Sequence, residues 1–212
     1  VLDRMATGYT RVGAGYHHAA YFDPSVPYAA GMMYSTARDL FAWTQALHRG
    51  DVFEDPETLE RMTTPVHGSY AYGLGVSMLP IGESLVRAIG HSGGIFGFST
   101  FLLYFPDANR TVVVLANTEG STQPLALDLA RILYGEPVEL PRPPIGPVLA
   151  GIIEAEGVDA AVARYREVQD AADGFDLGED QLNTLGYTLL NAGDVTTAIR
   201  IFEINVEAFP EA

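Results

Sequence analysis

Hydrophobic spacing changes period several times along this chain, and each change predicts an element. Between Thr36 and Gly50, apolar residues fall at Leu40, Phe41, Trp43 and Leu47, the spacing of one helical face. Thr36 precedes that stripe with Asp39 three residues on, so its hydroxyl can satisfy a free backbone N–H, and Gly50 ends it. A shorter helix is predicted from Pro56 through Met62, with Pro56 in the first turn and Thr63-Thr64-Pro65 closing it. From Tyr70 to Asn117 the period becomes that of strands, over residues 72–78, 84–89, 99–107 and 111–117. Pro106-Asp107-Ala108-Asn109-Arg110 is turn chemistry, so the last two runs form an antiparallel hairpin. Leu125, Leu129, Ile132 and Leu133 restore a helical period, which predicts a helix packed back over the sheet. Residues 1–34, rich in Gly, Tyr and Ala, show little periodicity and read as loop with short irregular elements around Tyr9, Tyr16, His17, His18 and Tyr21.

Five prolines within residues 135–147 favour extended backbone with few hydrogen bonds, and mark a linker. The organisation read from this is a domain over 1–134, the linker 135–147, and a module over 148–212. The module carries four amphipathic helices at about 148–156, 158–171, 179–191 and 195–208. Leu182, Gly186, Ala198, Phe202 and Pro210 fall at spacings that resemble one tetratricopeptide unit, and Ala161 and Tyr165 echo Ala198 and Phe202 more weakly. The fold class is therefore α+β, an antiparallel sheet flanked by helices, followed by a small all-α helical module similar to tetratricopeptide repeats.

Charge narrows the partners. The chain carries −15 at neutral pH, so neither nucleic acid nor an anionic membrane surface finds a basic footprint. Residues 1–140 hold 14 acidic residues against 8 arginines and residues 141–212 hold 13 against 4, leaving −6 and −9, so the helical module is the more acidic part. There is no cysteine, which removes disulfides, thiolate ligands and a thiol nucleophile without deciding the compartment. No apolar run approaches the roughly 20 residues that span a bilayer. The His17-His18 pair, His48 and His67 lack the spacing of a metal site, and no metal or other cofactor is expected. The sequence opens at Val1 rather than methionine, which suggests that an upstream part has been removed.

Candidate chemistry concentrates in Gly90-His91-Ser92-Gly93-Gly94-Ile95-Phe96-Gly97-Phe98. His91 and Ser92 can be a nucleophile and its base, a substrate-binding pair, or polar residues ending a strand. Neighbours on a strand point to opposite faces, which places these two badly for direct activation of one by the other. The glycines suit close approach to the backbone by a ligand or by another chain element.

Gly31, Tyr34-Ser35-Thr36-Ala37-Arg38-Asp39-Leu40, Tyr72-Gly73-Leu74-Gly75, His91-Ser92-Gly93-Gly94, Gly97-Phe98 and Tyr104-Phe105-Pro106-Asp107 occur in an order that resembles the β-lactamase-related serine hydrolases. That family includes class C-like β-lactamases, D-alanyl-D-alanine peptidases and esterases, and the resemblance covers about residues 1–135. It implies part of the fold shared by serine β-lactamases and penicillin-binding proteins. It also implies acyl-enzyme chemistry on an ester or amide, with a small-molecule or peptide acyl substrate. By the same resemblance, His91-Ser92-Gly93 stands where the family has its Lys/His-Ser/Thr-Gly motif on the strand edging the pocket. His91 then donates a hydrogen bond toward the substrate or the catalytic hydroxyls, Ser92 and Gly93 bind substrate, and the Gly94 N–H is an oxyanion donor.

The family's nucleophile and lysine lie in Ser-x-x-Lys, and a Tyr-x-Asn supplies its catalytic tyrosine. This sequence contains no lysine, and none of its 11 tyrosines has Asn two residues on, so no nucleophile is assigned within it. Both motifs normally precede the region matched, so the expectation is a C-terminal part that is inactive alone and completed by a missing N-terminal half. The resemblance suggests a periplasmic or otherwise extracytoplasmic setting. The helical module is expected to serve self-association or a protein partner, and a rival reading makes the whole chain a non-catalytic binding protein that recruits a partner through that module.

Overall fold

The structure is a computed structural model that describes residues 5–12, 15–23, 25–120, 122–171 and 174–211; the others, Val1 among them, lie outside the described residues. Two compact units emerge, His18–Val138 with the residues before Arg11, and Glu139–Ala212 with Arg11–His17. Near the start, β1 (Tyr9–Val12) and β2 (Gly15–His18) pair as a two-stranded ribbon where the sequence reads as irregular, and a single 3-10 turn covers Tyr28–Ala30.

In the first unit, α1 (Ala37–Arg49) starts as the capping pattern requires. The Asp39 N–H donates to Thr36 Oγ1 at 3.1 Å, and the Thr36 hydroxyl donates to the Asp39 carboxylate at 2.8 Å. Gly50 ends the helix at φ 83°, a left-handed conformation that only glycine adopts without strain. Its buried side is narrower than the apolar stripe. Thr44 and Leu47 are buried, Leu40 is half-buried, and Phe41 and Trp43 are open. α2 (Pro56–Met62) follows, capped by Asp55, whose carboxylate accepts from Glu57 N–H at 2.9 Å.

Four strands form an antiparallel meander in chain order: β3 (Gly75–Ile81), β4 (Ser84–Ile95), β5 (Phe98–Phe105) and β6 (Arg110–Ala116). β3 begins later than the periodicity suggests, because Gly73 at φ 73° and a bond from Ala71 N–H to the Leu74 carbonyl make a turn of residues 71–74. β4 is longer than expected, continuing through the glycine-rich run to Ile95. Alternation puts Ala88, Leu103, Phe105, Val112 and Val114 on one face, where α3 (Gln123–Leu133) covers them. The helix does fold back over the sheet, but with Ala126 and Ala130 inward rather than its leucines. Leu125, Leu129, Ile132 and Leu133 are between 37% and 52% exposed. The small alanines let the helix backbone approach the bulky Phe105 and the valines, and close packing outweighs burial of the larger chains. The opposite sheet face carries Tyr104 and Thr111 under α1, with the His48 ring stacked on Tyr104 at 3.9 Å.

The second unit contains α4 (Ile145–Glu156), α5 (Val158–Ala171), α6 (Glu179–Asn191) and α7 (Val195–Ala208). Three of the four match the expected ranges. α4 begins three residues early because Pro144 is extended and Pro147 still fits within the first turn, where a missing N–H costs nothing. Ile145, Leu149, Tyr165, Leu182, Ile201 and Ile204 form its core. Gly186 faces the Phe202 ring so closely that a Cβ there would lie 2.7 Å from Cζ and 2.8 Å from Cδ1.

Candidate active-site wall

β3 stops pairing at Gly75, opposite Gly90, while β4 runs on to Ile95 with β5 alone beside it. Residues 91–95 therefore form a strand edge with one open side. The turn to β5 consists of Phe96 and Gly97 and closes on the Ile95–Phe98 pair. Counting back along the antiparallel ladder, Gly93 and His91 sit in pairs that exchange bonds with β5, so Ser92 and Gly94 aim their N–H and C=O groups at the open side. Gly97 has φ 75°, and a Cβ there would lie 2.7 Å from the Gly8 carbonyl carbon, so glycine is required for both conformation and space. The Glu119 carboxylate receives the Gly97 N–H at 3.1 Å and pins the turn.

His91 is exposed at the start of this edge, with both ring nitrogens engaged. Nδ1 contacts the Ser92 carbonyl, which can only accept, so Nδ1 carries the proton. In the neutral ring Nε2 is then the acceptor, and the Tyr70 hydroxyl donates to it at 2.9 Å. The two rings meet edge-on, 5.7 Å apart at 73°. Tyr70 is held by the turn ahead of β3, where it bridges to Gly75 and to His67. Donation from Nε2 of His91 toward a substrate, as the resemblance implies, requires a proton on that nitrogen, in the doubly protonated ring or in the other tautomer. In this state the Tyr70 hydroxyl is the donor to the His91 ring.

The candidate residues divide between two faces of the sheet. His91 lies on the face of Ile89 and Leu102, whereas Ser92 and Gly94 lie on that of Gly90 and Phe101. Along the latter face runs an open cleft of about 570 Å³, bordered by Ser92, Gly93 and Gly94, by Phe96 and Phe101, and by Gln123 at the start of α3. His91 is not in its wall. A Cβ at Gly93 would run into the Thr100 hydroxyl, but one at Gly94 meets no atom within 4 Å. Thus the Gly94 Cα faces open space, while its N–H points to the side of β4 that β3 leaves unpaired. Tyr70 is the residue that sequence reasoning missed. Its one signal is position, two residues ahead of the Tyr72-Gly73-Leu74-Gly75 run. Among the described residues no three His, Cys, Asp or Glu gather as metal ligands. No described helix is long and apolar enough to cross a membrane.

A meander whose second strand overruns the first in His-Ser-Gly-Gly, backed by a C-terminal helix, agrees with the family comparison: the Beta-lactamase family model matches residues 2–135. The chain belongs to the Beta-lactamase family. Within this family of β-lactamase-related serine hydrolases, penicillin-binding protein 4* of Bacillus subtilis (strain 168) is 31% identical over 121 residues, 54% of this chain and 26% of the relative. The crystal structure of a D-stereospecific amidohydrolase from Streptomyces sp. superposes with a TM-score of 0.51 at 27% identity, covering 61% of this chain and 40% of that one. The chain thus spans about a quarter of one relative and two fifths of the other. The helices after residue 138 lie beyond the matched family region.

Proposed function

We propose that this chain is the C-terminal part of a serine hydrolase that works through an acyl-enzyme on an ester or amide, and that residues 91–94 are one wall of its pocket. The observation that carries this reading is the open edge of β4, where backbone donors face outward beside His91 and Gly94 has nothing over it.

In the complete enzyme a serine and a lysine from sequence upstream supply the nucleophile and its activation. The serine oxygen attacks the acyl carbonyl, whose π electrons move onto oxygen, and the resulting oxyanion accepts the Gly94 N–H and a second N–H from the nucleophile's own residue. A donor of this kind contributes about 3 kcal/mol to the transition state. Collapse expels the alcohol or amine, leaving an acyl-serine that water cleaves. An extended acyl substrate lies along β4 and pairs with the outward groups of Ser92, as an added strand does on any open edge. The Tyr70–His91 pair lies at the start of that edge as a relay of hydrogen-bond donors. The amidohydrolase among the similar structures supports an amide substrate. The first domain runs to about residue 134, the proline-rich segment from residue 135 to the start of α4 at Ile145 is a linker, and the helices from α4 onward are a tetratricopeptide-like module.

Intact mass after treatment with a fluorophosphonate tests the proposal. A single unlabelled species near 22.8 kDa is expected from this chain by itself. A labelled species is expected when the upstream sequence is joined to it or added as a second polypeptide. If upstream sequence lacks Ser-x-x-Lys and nothing labels, the hydrolase reading fails and the non-catalytic binding protein takes its place.

A further inference from the structure

The α6/α7 hairpin is apolar on two sides. Leu182, Leu185, Ile201 and Ile204 turn inward to the core shared with α4 and α5. A second band, made of Tyr187, Leu190, Val195, Ile199, Phe202 and Val206, looks outward. Residues 195, 199, 202 and 206 are spaced as one helical stripe, with Ile199 53% and Val206 68% exposed. Tyr187 and Phe202 meet edge-on at 5.2 Å, so the band is continuous across both helices. A hairpin packed against one neighbour needs only one apolar side.

We propose that this band is a self-association surface, on which the α6/α7 hairpin of a second copy of this chain packs about a two-fold axis. Area supports that occupant. The open part of the band is on the order of 500 Å² per copy, so pairing two removes about 1,000 Å², the size at which protein interfaces become stable. Charge supports it as well. Residues 141–212 carry −9, which opposes association of like modules, yet the band itself has no ionisable group except the Tyr187 phenol. The acids flanking it on α7 are already neutralised within the protomer, Glu203 by Arg200 and Glu207 by Arg166, each at 2.9 Å. A two-fold axis therefore brings apolar surface together inside a rim whose α7 glutamates are ion-paired, with aromatic and branched aliphatic residues at its centre.

Sedimentation equilibrium of the 212-residue chain from about 1 to about 100 μM tests this. The expected result is a mass rising from 22.8 kDa to twice that value. The double variant Ile199→Glu/Val206→Glu should stay monomeric with unchanged helical circular dichroism, while Leu129→Glu/Ile132→Glu on α3 should still dimerise. Because the chain has no cysteine, Ile199→Cys provides one thiol, which a short bismaleimide should join into a covalent dimer without disturbing the fold. A monomer throughout the range overturns the proposal. So does a dimer lost with the α3 pair, or one that Ile199→Cys fails to cross-link.

Discussion

Gly90 and Gly94 stand four residues apart on one strand, and opposite consequences are expected from the same substitution at each. A Cβ at Gly90 would collide with the Leu102 carbonyl oxygen and lie 2.9 Å from its carbonyl carbon and 3.1 Å from Leu103 Cα. Those are backbone atoms of β5, which pairs with β4 on one side and β6 on the other, so relief requires shifting a central strand. Overpacking of this kind costs about 1–3 kcal/mol, and the backbone contact puts Gly90→Ala at the upper end. Alanine's smaller loss of chain entropy returns about 0.5–1 kcal/mol. The net is a destabilisation of about 2 kcal/mol, or a Tm lower by roughly 4–8 °C for a chain of this size. At Gly94 the methyl meets nothing within 4 Å, so the entropy term stands alone and Gly94→Ala should be neutral or up to about 1 kcal/mol more stable. The sole tryptophan, Trp43, sits on α1 in the same unit, so its fluorescence in a urea melt reports this unit rather than the helical one. Equal midpoints for the two variants, or a lower one for Gly94→Ala, would refute the assignment of Gly90 to packing and Gly94 to open space.

In the complete enzyme His91→Ala should lower turnover about 100-fold or more while leaving Tm nearly unchanged, because the side chain is exposed; a large Tm loss with intact turnover makes it structural. Tyr70→Phe removes the O–H donor and leaves the Ser92 contact, so kcat should fall less than for His91→Ala and its pH profile should move; an unaltered profile removes Tyr70 from the site. Burial, assisted by the Arg87 charge, holds His48 below its ordinary value of 6.5. The unfolded state thus binds the proton more readily, so this contribution to stability is complete above about pH 6.5 and declines as pH falls toward the lowered folded value. His48→Phe keeps a ring on Tyr104 and should flatten that part of a pH series of melts; an unchanged slope assigns it to another group. Asp194→Ala removes the acceptor of the Thr197 N–H and should cost the helical unit about 1 kcal/mol in a circular-dichroism melt, with no cost expected if water caps the helix equally well.

Periodicity and turn chemistry determined much by themselves. The helices 158–171, 179–191 and 195–208, the β5–β6 hairpin and the cap at Thr36 were legible because each depends on residues within a few positions of one another. The chemical run 90–94 was visible for the same reason. Three things depended on residues distant in sequence. Only the ladder register shows that β4 overruns β3 at Gly90, because the end of one strand says nothing about its partner's. The pairing of Tyr70 with His91 spans a 21-residue gap and leaves no periodic trace. The side on which α3 packs was decided by the bulk of Phe105, Val112 and Val114, which admits Ala126 and Ala130 and turns the leucines outward. A sequence shows which faces of an element are apolar; which of two apolar faces is buried depends on the shape of the surface it meets, and that exists only once the chain has folded.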